Sequence, residues 1–186
     1  MKAGSDGPTA CLGTAGYPGN LRGMSEPTTR HLTPADEQLL RIATLGNVNW
    51  AEERFTMRDV VDRREFSHYT RLESVRGDFG FAAEQNGRTV GAVWAVFLPA
   101  EDAGYGFVDI RTPELSLWIH PDERGRGVGR YLLRLLKREA RRRGISGLSL
   151  SVEAGNFAKH LYEAEGFGDV RGRERDGVMI WVLKDD

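Results

Sequence analysis

A chain of 186 residues, 40% of them hydrophobic, is long enough to close one substantial core and short for two. Its 26 Lys and Arg against 27 Asp and Glu leave a net charge of −1, which removes the usual reason to expect a nucleic acid or an anionic membrane as partner. The single cysteine, Cys11, excludes an internal disulfide and fits a reducing compartment; with no transmembrane-length apolar run and no apolar leader at the N-terminus, the expected location is the cytoplasm.

Residues 1–27 are rich in Gly, Pro, Ser and Thr and carry few large apolar side chains, so a mobile tail is expected there and a single domain over 28–186. Thr28 to Leu32 reads as a short strand. Thr33-Pro34-Ala35-Asp36-Glu37 has an N-cap, a proline in the first turn and acids beside it, which predicts a helix running to about Leu45. A second helical region is expected within 52–75, with Phe55, Val60, Val61, Phe66 and Tyr69 as its apolar side chains. Phe79, Phe81 and Ala83 then alternate with other residues, Asn86-Gly87 is a strong hairpin turn, and Val90 to Leu98 is a second strand. Residues 99–113 form a long loop with Tyr105, Phe107, Asp109 and Arg111; loops of that length in compact domains are often functional.

The most informative stretch is Glu114 to Gly129, ELSLWIHPDERGRGVG. Leu115, Leu117 and Ile119 alternate with Ser116, Trp118 and His120, the period of a strand, and Pro121 ends it. From Val128 the period becomes helical, with Leu132, Leu135, Leu136 and Ala140 on one face. The junction Arg124-Gly125-Arg126-Gly127-Val128-Gly129 puts glycines where a ligand can approach the backbone, at the positive end of a helix, which suits phosphate. No GxxxxGK[ST] run exists, and Gly125, Gly127 and Gly129 fail the GxGxxG spacing. The pattern met is [Q/R]-x-x-G-x-[G/A], through Arg124, Gly127 and Gly129.

The helix is expected to close at Gly144 behind Arg141-Arg142-Arg143, and Leu148, Leu150 and Val152 alternate in a further strand. Asn156-Phe157-Ala158-Lys159-His160-Leu161-Tyr162-Glu163-Ala164-Glu165-Gly166-Phe167 follows. The loop resembles the pyrophosphate loop of the GCN5-related N-acetyltransferase (GNAT) family, and the second segment is similar to that family's N-x-x-A-x-x-L-Y-x-x-x-G-F run. The resemblance covers roughly Glu114 to Phe167. Val178 to Leu183 is a last strand, expected to be buried and open to serving as an edge across a homodimer.

The resemblance implies an α/β (α+β) GNAT fold. Its central sheet would be mixed, mostly antiparallel and six- to seven-stranded, splayed between the strands at 114–120 and 147–153 and flanked by about four helices. It also implies acetyl-CoA as cosubstrate, no metal, and direct transfer of acetyl to an amine. An amine attacks only when neutral, and the departing thiolate benefits from a proton. Tyr162 is the expected general acid and Glu114 the expected general base, with Glu153 a second choice and His120 a distant one. Arg124, Arg126 and Arg130, with the amides of Gly125, Gly127, Val128 and Gly129, would hold diphosphate. Leu117, Trp118 and Ile119 of the cofactor strand and Asn156 would hold the pantetheine arm, Leu117 and Ile119 through backbone groups. Arg134, Lys137, Arg138 and Arg141–Arg143 read as an exposed helix face.

The acceptor site would come from 45–75, 99–113 and 168–177, which offer Trp50, Phe55, His68, Tyr69, Tyr105, Asp109 and Glu114. Mixed aromatics and acids suit a small-molecule amine. A protein lysine or N-terminal acetyltransferase is the alternative enzyme, although some family members acting on ribosomal protein N-termini carry a base where Ser151 stands here. A silent acyl-CoA-binding sensor is the alternative outside enzymes, and Tyr162 argues against it. No metal cluster is visible in the sequence.

Overall fold

The computed structural model describes residues 27–183, so the tail expected over residues 1–27 lies outside it apart from Pro27. Its strands are β1 (Thr28–His31), β2 (Phe79–Gln85), β3 (Arg88–Val96), β4 (Glu114–Ile119), β5 (Gly147–Ser151), β6 (Gly168–Asp169) and β7 (Val178–Val182). They form one sheet in the order β1-β2-β3-β4-β5-β7-β6. Every neighbouring pair is antiparallel except β4 and β5. This is the mixed, seven-stranded, open sheet that the resemblance implies.

Among the described residues five α-helices flank it: α1 (Glu37–Val48), α2 (Met57–Asp62), α3 (Arg64–Ser67), α4 (Val128–Arg142) and α5 (Ala158–Ala164). The count exceeds four because the region within 52–75 breaks at Arg63, whose extended backbone (φ −87°, ψ 125°) separates α2 from α3. Of the apolar side chains of this region Val61 is exposed, and Val60, Phe66 and Tyr69 carry the packing. Thr56 and Asp59 cap α2 reciprocally, each side chain bound to the other's backbone N–H. Thr33 and Asp36 close a 3₁₀ turn ahead of α1, which runs three residues past the predicted end. Asn86 (φ 53°) and Gly87 (φ 74°) both lie in the left-handed region, as a two-residue I′ hairpin requires. The end of α4 is a Schellman motif: Ile145 N–H donates to Ala140 O (2.9 Å) and Gly144 N–H to Arg141 O (3.0 Å) around Gly144 at φ 71°.

Two apolar layers hold the sheet. One joins Val93, Ala95 and Leu115 to Leu132, Leu133, Leu136 and Ala140 of α4. The other joins Ala92, Trp94 and Val96 to Leu40 and Ala43 of α1 and to Trp118. The alternation along β3 thus feeds both faces at once, which is why the strand reads as continuously apolar. Leu136 is fully buried in the first layer. Leu136→Ala is expected to cost about 2–5 kcal/mol, checked by denaturant unfolding.

β7 is not an outer edge. It lies between β5 and β6, the latter pairing Gly168 with Ile180 and Asp169 with Met179. Its apolar composition reflects this inner position, so the premise for an edge pairing across a homodimer is corrected.

The feature that positions the site is the junction of β4 and β5. These parallel strands pair at one position, Glu114 opposite Ser149. Beyond it β4 keeps only its pairing with β3. His120 N–H donates to Val90 O (3.0 Å), so the alternation of an antiparallel ladder turns the even-numbered residues of β4 toward β3. Leu117 and Ile119 therefore turn their backbone N–H and C=O toward the gap.

Candidate active site

The gap opens into a cleft of about 1090 Å³. It runs from the loop before α4, across the open edge of β4, to a chamber walled by the end of α1, the α1–α2 loop and residues near Tyr105.

At the first end, Gly125 (φ 75°) and Gly127 (φ 84°) are left-handed, and Gly127 caps α4. A side chain there would be strained whatever the space around it. The first helical bond is from Tyr131 N–H to Gly127 O, so the amides of Val128, Gly129 and Arg130 have no partner within the helix. Gly129 lies over the cleft floor; a Cβ on it would sit 3.4 Å from Leu161, 3.5 Å from Ile119 and 3.7 Å from Leu117.

The three loop arginines separate. Arg124 lines the cleft and makes no ion pair or side-chain hydrogen bond with another described residue. Arg130 lines it too, with its guanidinium 3.2 Å from Glu165. Arg126 does not line it: Glu123, buried and also bound to Arg88, holds it at 2.9 Å. The Val128 side chain is buried under α4, and the Trp118 indole presses on the backbone of α1, where a Cβ on Gly46 would lie 2.5 Å from Nε1. Those two side chains belong to the two cores and neither residue lines the cleft: Val128 offers only its helix-start amide, and the backbone groups of Trp118 face β3, which corrects the expectation that Trp118 holds the cofactor.

The basic face of α4 is not simply solvated. Glu165 is buried and gathers Arg130, Arg134 and Lys137, while Lys137 and Arg141 lie over the Trp181 ring at 5.2 and 5.4 Å. Arg142 and Arg143 close on Glu139. The Glu165 and Trp181 contacts join α4 to the end of α5 and to β7, a structural use of charge that a helical-wheel reading cannot distinguish from a solvated face.

Toward the centre, Asn156 accepts a hydrogen bond from Ala158 N–H (2.9 Å), a capping role that leaves its Nδ2 donor without a described partner. Tyr162 is only 7% exposed, yet it lines the cleft. Its ring packs edge-on against Phe167 (5.8 Å between centroids) rather than against Phe157, which is exposed. Its hydroxyl has no hydrogen-bond partner among the described residues. Burial pushes the phenol above its ordinary range, so the group stays a neutral O–H donor at any physiological pH.

Glu114 is 4% exposed and lines the same cleft. Its Oε1 accepts hydrogen bonds from Tyr69 Oη (2.8 Å) and from Gly106 N–H (2.8 Å), while Oε2 is buried without a partner. Burial pushes its carboxyl up to about 7, against the opposing pull of those two donors and of Arg173. A carboxylate that exchanges its proton near neutrality is suited to general base chemistry.

Glu153 is the opposite case. Arg54 holds both its oxygens (2.8 Å each) and Trp50 Nε1 adds a third donor, which together bring its carboxyl down to about 2. It is an ionised anchor bridging the α1–α2 loop to the segment after β5, and a poor proton acceptor. His120 does not line the cleft; its Nδ1 faces Asp122. Ser151 Oγ donates to Asp176 O (3.0 Å).

Of the residues expected around the acceptor, Trp50, Phe55, Tyr69, Tyr105 and Glu114 line the cleft. His68 and Asp109 do not. His68 sits against Asp102, and Asp109 Oδ1 accepts from Arg111 N–H and Thr112 N–H in its own loop. Phe66, Arg54 and Arg175 line the cleft without having been assigned to it from sequence. Arg54 gave no signal, since its partner Glu153 is 99 residues away. Phe66 was visible only as an apolar helix residue.

A family model described as acetyltransferase (GNAT) family matches residues 44–167. The chain is 42% identical over 57 residues to L-amino acid N-acyltransferase MnaT of Escherichia coli (strain K12), a match covering 30% of this chain and 33% of that protein. The match thus spans about a third of that relative's length. Among solved structures, ribosomal-protein-alanine N-acetyltransferase from Brucella melitensis is similar at 26% identity, with 84% of this chain and 99% of that one covered and a TM-score of 0.60. The PaiA N-acetyltransferase from Thermoplasma acidophilum, solved in complex with coenzyme A, has the same fold at 15% identity, with a TM-score of 0.62 and coverage of 86% and 100%.

Proposed function

The chain belongs to the GNAT acetyltransferase family, and from that premise we propose that it transfers acetyl from acetyl-CoA to the primary amine of a small, amino-acid-like molecule. The observation that carries this reading is the pairing in one cleft of a buried carboxyl near neutrality, Glu114, with a buried neutral phenol, Tyr162. The cleft also fits the donor: left-handed glycines and free helix amides at one end, an unpaired strand edge along its length, and Arg124 beside them.

Bound acetyl-CoA would supply the thioester carbonyl that an amine attacks. The amides around Gly127 and the Arg124 guanidinium would hold the diphosphate, and Arg130 would add to them. The backbone groups of Leu117 and Ile119, with Asn156 Nδ2, would hold the pantetheine arm. Glu114, ionised, would take the proton that an ammonium must lose before it attacks. Tyr162 would hand its proton to the sulfur as the C–S bond breaks. Arg175 at the far wall has no ion pair among the described residues and would meet a substrate carboxylate. The named activity of the MnaT relative, on L-amino acids, supports that acceptor class.

The test is acetyl-CoA binding by calorimetry beside thiol release across amines, amino acids and short peptides, including one with an N-terminal alanine. Amine-dependent release with amino acids is the expected result; release only with peptides would overturn the acceptor class. Absence of acetyl-CoA binding would overturn the whole reading. Arg124→Ala is expected to raise KM for acetyl-CoA about tenfold with little change in kcat, since it removes one charge-assisted contact from a non-reacting part of the substrate.

A further inference from the structure

We propose that Tyr69 is a positioning residue for Glu114. Its hydroxyl, together with the amide of Gly106, holds Oε1 and so fixes the orientation of the carboxyl group in the cleft wall. This rests on the reading of Glu114 as general base.

The geometry is a closed set of hydrogen bonds. Tyr69 Oη donates to Glu114 Oε1 (2.8 Å) and accepts from Tyr105 N–H (3.0 Å). Gly106 N–H donates to the same Oε1 (2.8 Å). Tyr69 thus has both its donor and its acceptor used, and Oε1 receives two donors, while Oε2 has none. Tyr69 is buried, so the carboxylate cannot rotate without breaking bonds that water cannot replace.

Gly104 completes the arrangement. A Cβ there would lie 2.3 Å from Glu114 Oε2 and 2.4 Å from Tyr69 Oη. Only a residue with no side chain lets the loop close this tightly over the pair. The long loop after β3 is therefore a clamp whose amides at 105 and 106 orient the Tyr69–Glu114 pair.

The charged and titratable groups facing Glu114 are few. Tyr69 comes from the segment after α3, and Tyr105 from the clamp loop. Arg173 comes from the turn between β6 and β7, where Asp176 pairs with it at 2.6 Å. Ser149 lies opposite on β5, and the neighbours of Glu114 on its own strand are uncharged. Tyr69 is the donor among these side chains that can be removed with one atom. Its hydrogen bond lowers the carboxyl of Glu114, opposing burial, so its loss should raise that carboxyl further.

The experiment compares the unmodified protein, Tyr69→Phe and Glu114→Gln in acetyl-CoA-dependent thiol release between pH 5.5 and 9.5, with thermal unfolding over the same range. For Tyr69→Phe the expected results are a kcat about tenfold lower at pH 7, and a rising limb of the pH profile displaced upward by about one unit. KM for acetyl-CoA should be unchanged. Its loss of thermal stability should grow between pH 5.5 and 9, because the ionised carboxylate is what has lost its donor. A stability loss equal at all pH values, with the limb unmoved, would overturn the proposal even if kcat fell. If Glu114→Gln abolishes the limb while Tyr69→Phe leaves it in place, the base stands and the positioning role fails. If Glu114→Gln keeps the limb, the base reading fails and takes the proposal with it.

Discussion

Glu114→Gln is expected to lower kcat by about 10²–10³-fold at pH 8 and to flatten the rise of kcat/KM with pH, because it removes the group placed to take the ammonium proton. The direction follows from burial. The carboxyl of Glu114 is pushed up to about 7, so it is protonated and inert as a base at pH 6 and ionised at pH 8. Rate should therefore climb through a midpoint near 7. Tyr162 adds no falling limb in the working range, since its phenol is held above its ordinary value. The same shift sets a stability expectation with a definite sign. A carboxyl raised in the folded state favours folding below its unfolded pKa of about 4.3, and that contribution is lost as pH rises through about 7. From a shift of that size the ionised form costs about 3 kcal/mol at pH 9. Glutamine cannot ionise, so the variant should match the unmodified protein near pH 4, gain on it progressively between pH 5 and 7, and keep that advantage at higher pH. A variant that loses activity and also loses stability at pH 9 would mean that Glu114 is only a structural acid.

Much of the architecture was legible because its signals are local. The switch from period two to period helical at Val128, the Asn86-Gly87 turn and Gly144 each depend on a few adjacent residues, and each element appears within a few residues of its expected bounds. The splay between β4 and β5 was legible through family resemblance; in physical terms it is one paired position followed by an open edge. What could not be read is what depends on distant partners. Glu114 and Glu153 look alike in sequence, each an acid at a strand end. One is buried against Tyr69 and the other is gripped by Arg54, and their carboxyls end near 7 and near 2. Both partners lie 45 or more residues away. The basic face of α4 is exposed at Arg134, Arg138 and Arg141–Arg143 as read, but its partners were illegible for the same reason: nothing in residues 128–143 announces that Glu165 and Trp181 are waiting across the fold. The sidedness of β4 was half legible. The strand period was right, but Trp118 alternates into a second apolar layer rather than into solvent or the cleft.

Tyr162→Phe separates chemistry from packing more sharply than any other single change here. The hydroxyl has no hydrogen-bond partner among the described residues, and the ring's contact with Phe167 is kept by phenylalanine. Thermal stability should therefore change little, and acetyl-CoA affinity should stay within a few-fold. If the residue is only a core aromatic, turnover should be unaffected as well. If it protonates the departing sulfur, kcat should fall about 10²–10³-fold while KM for acetyl-CoA holds, the pattern of a contact made only in the transition state. A second comparison fixes the role. An acyl donor whose thiol is more acidic than CoA leaves without help, so the ratio of unmodified to variant rates should shrink toward one with such a donor. A ratio that stays constant across donors of different thiol acidity would assign Tyr162 to holding the thioester rather than to proton transfer. The buried phenol makes the acid role chemically sensible: burial keeps it neutral in the resting cleft, and the negative charge growing on sulfur is the one event there that would favour giving the proton up.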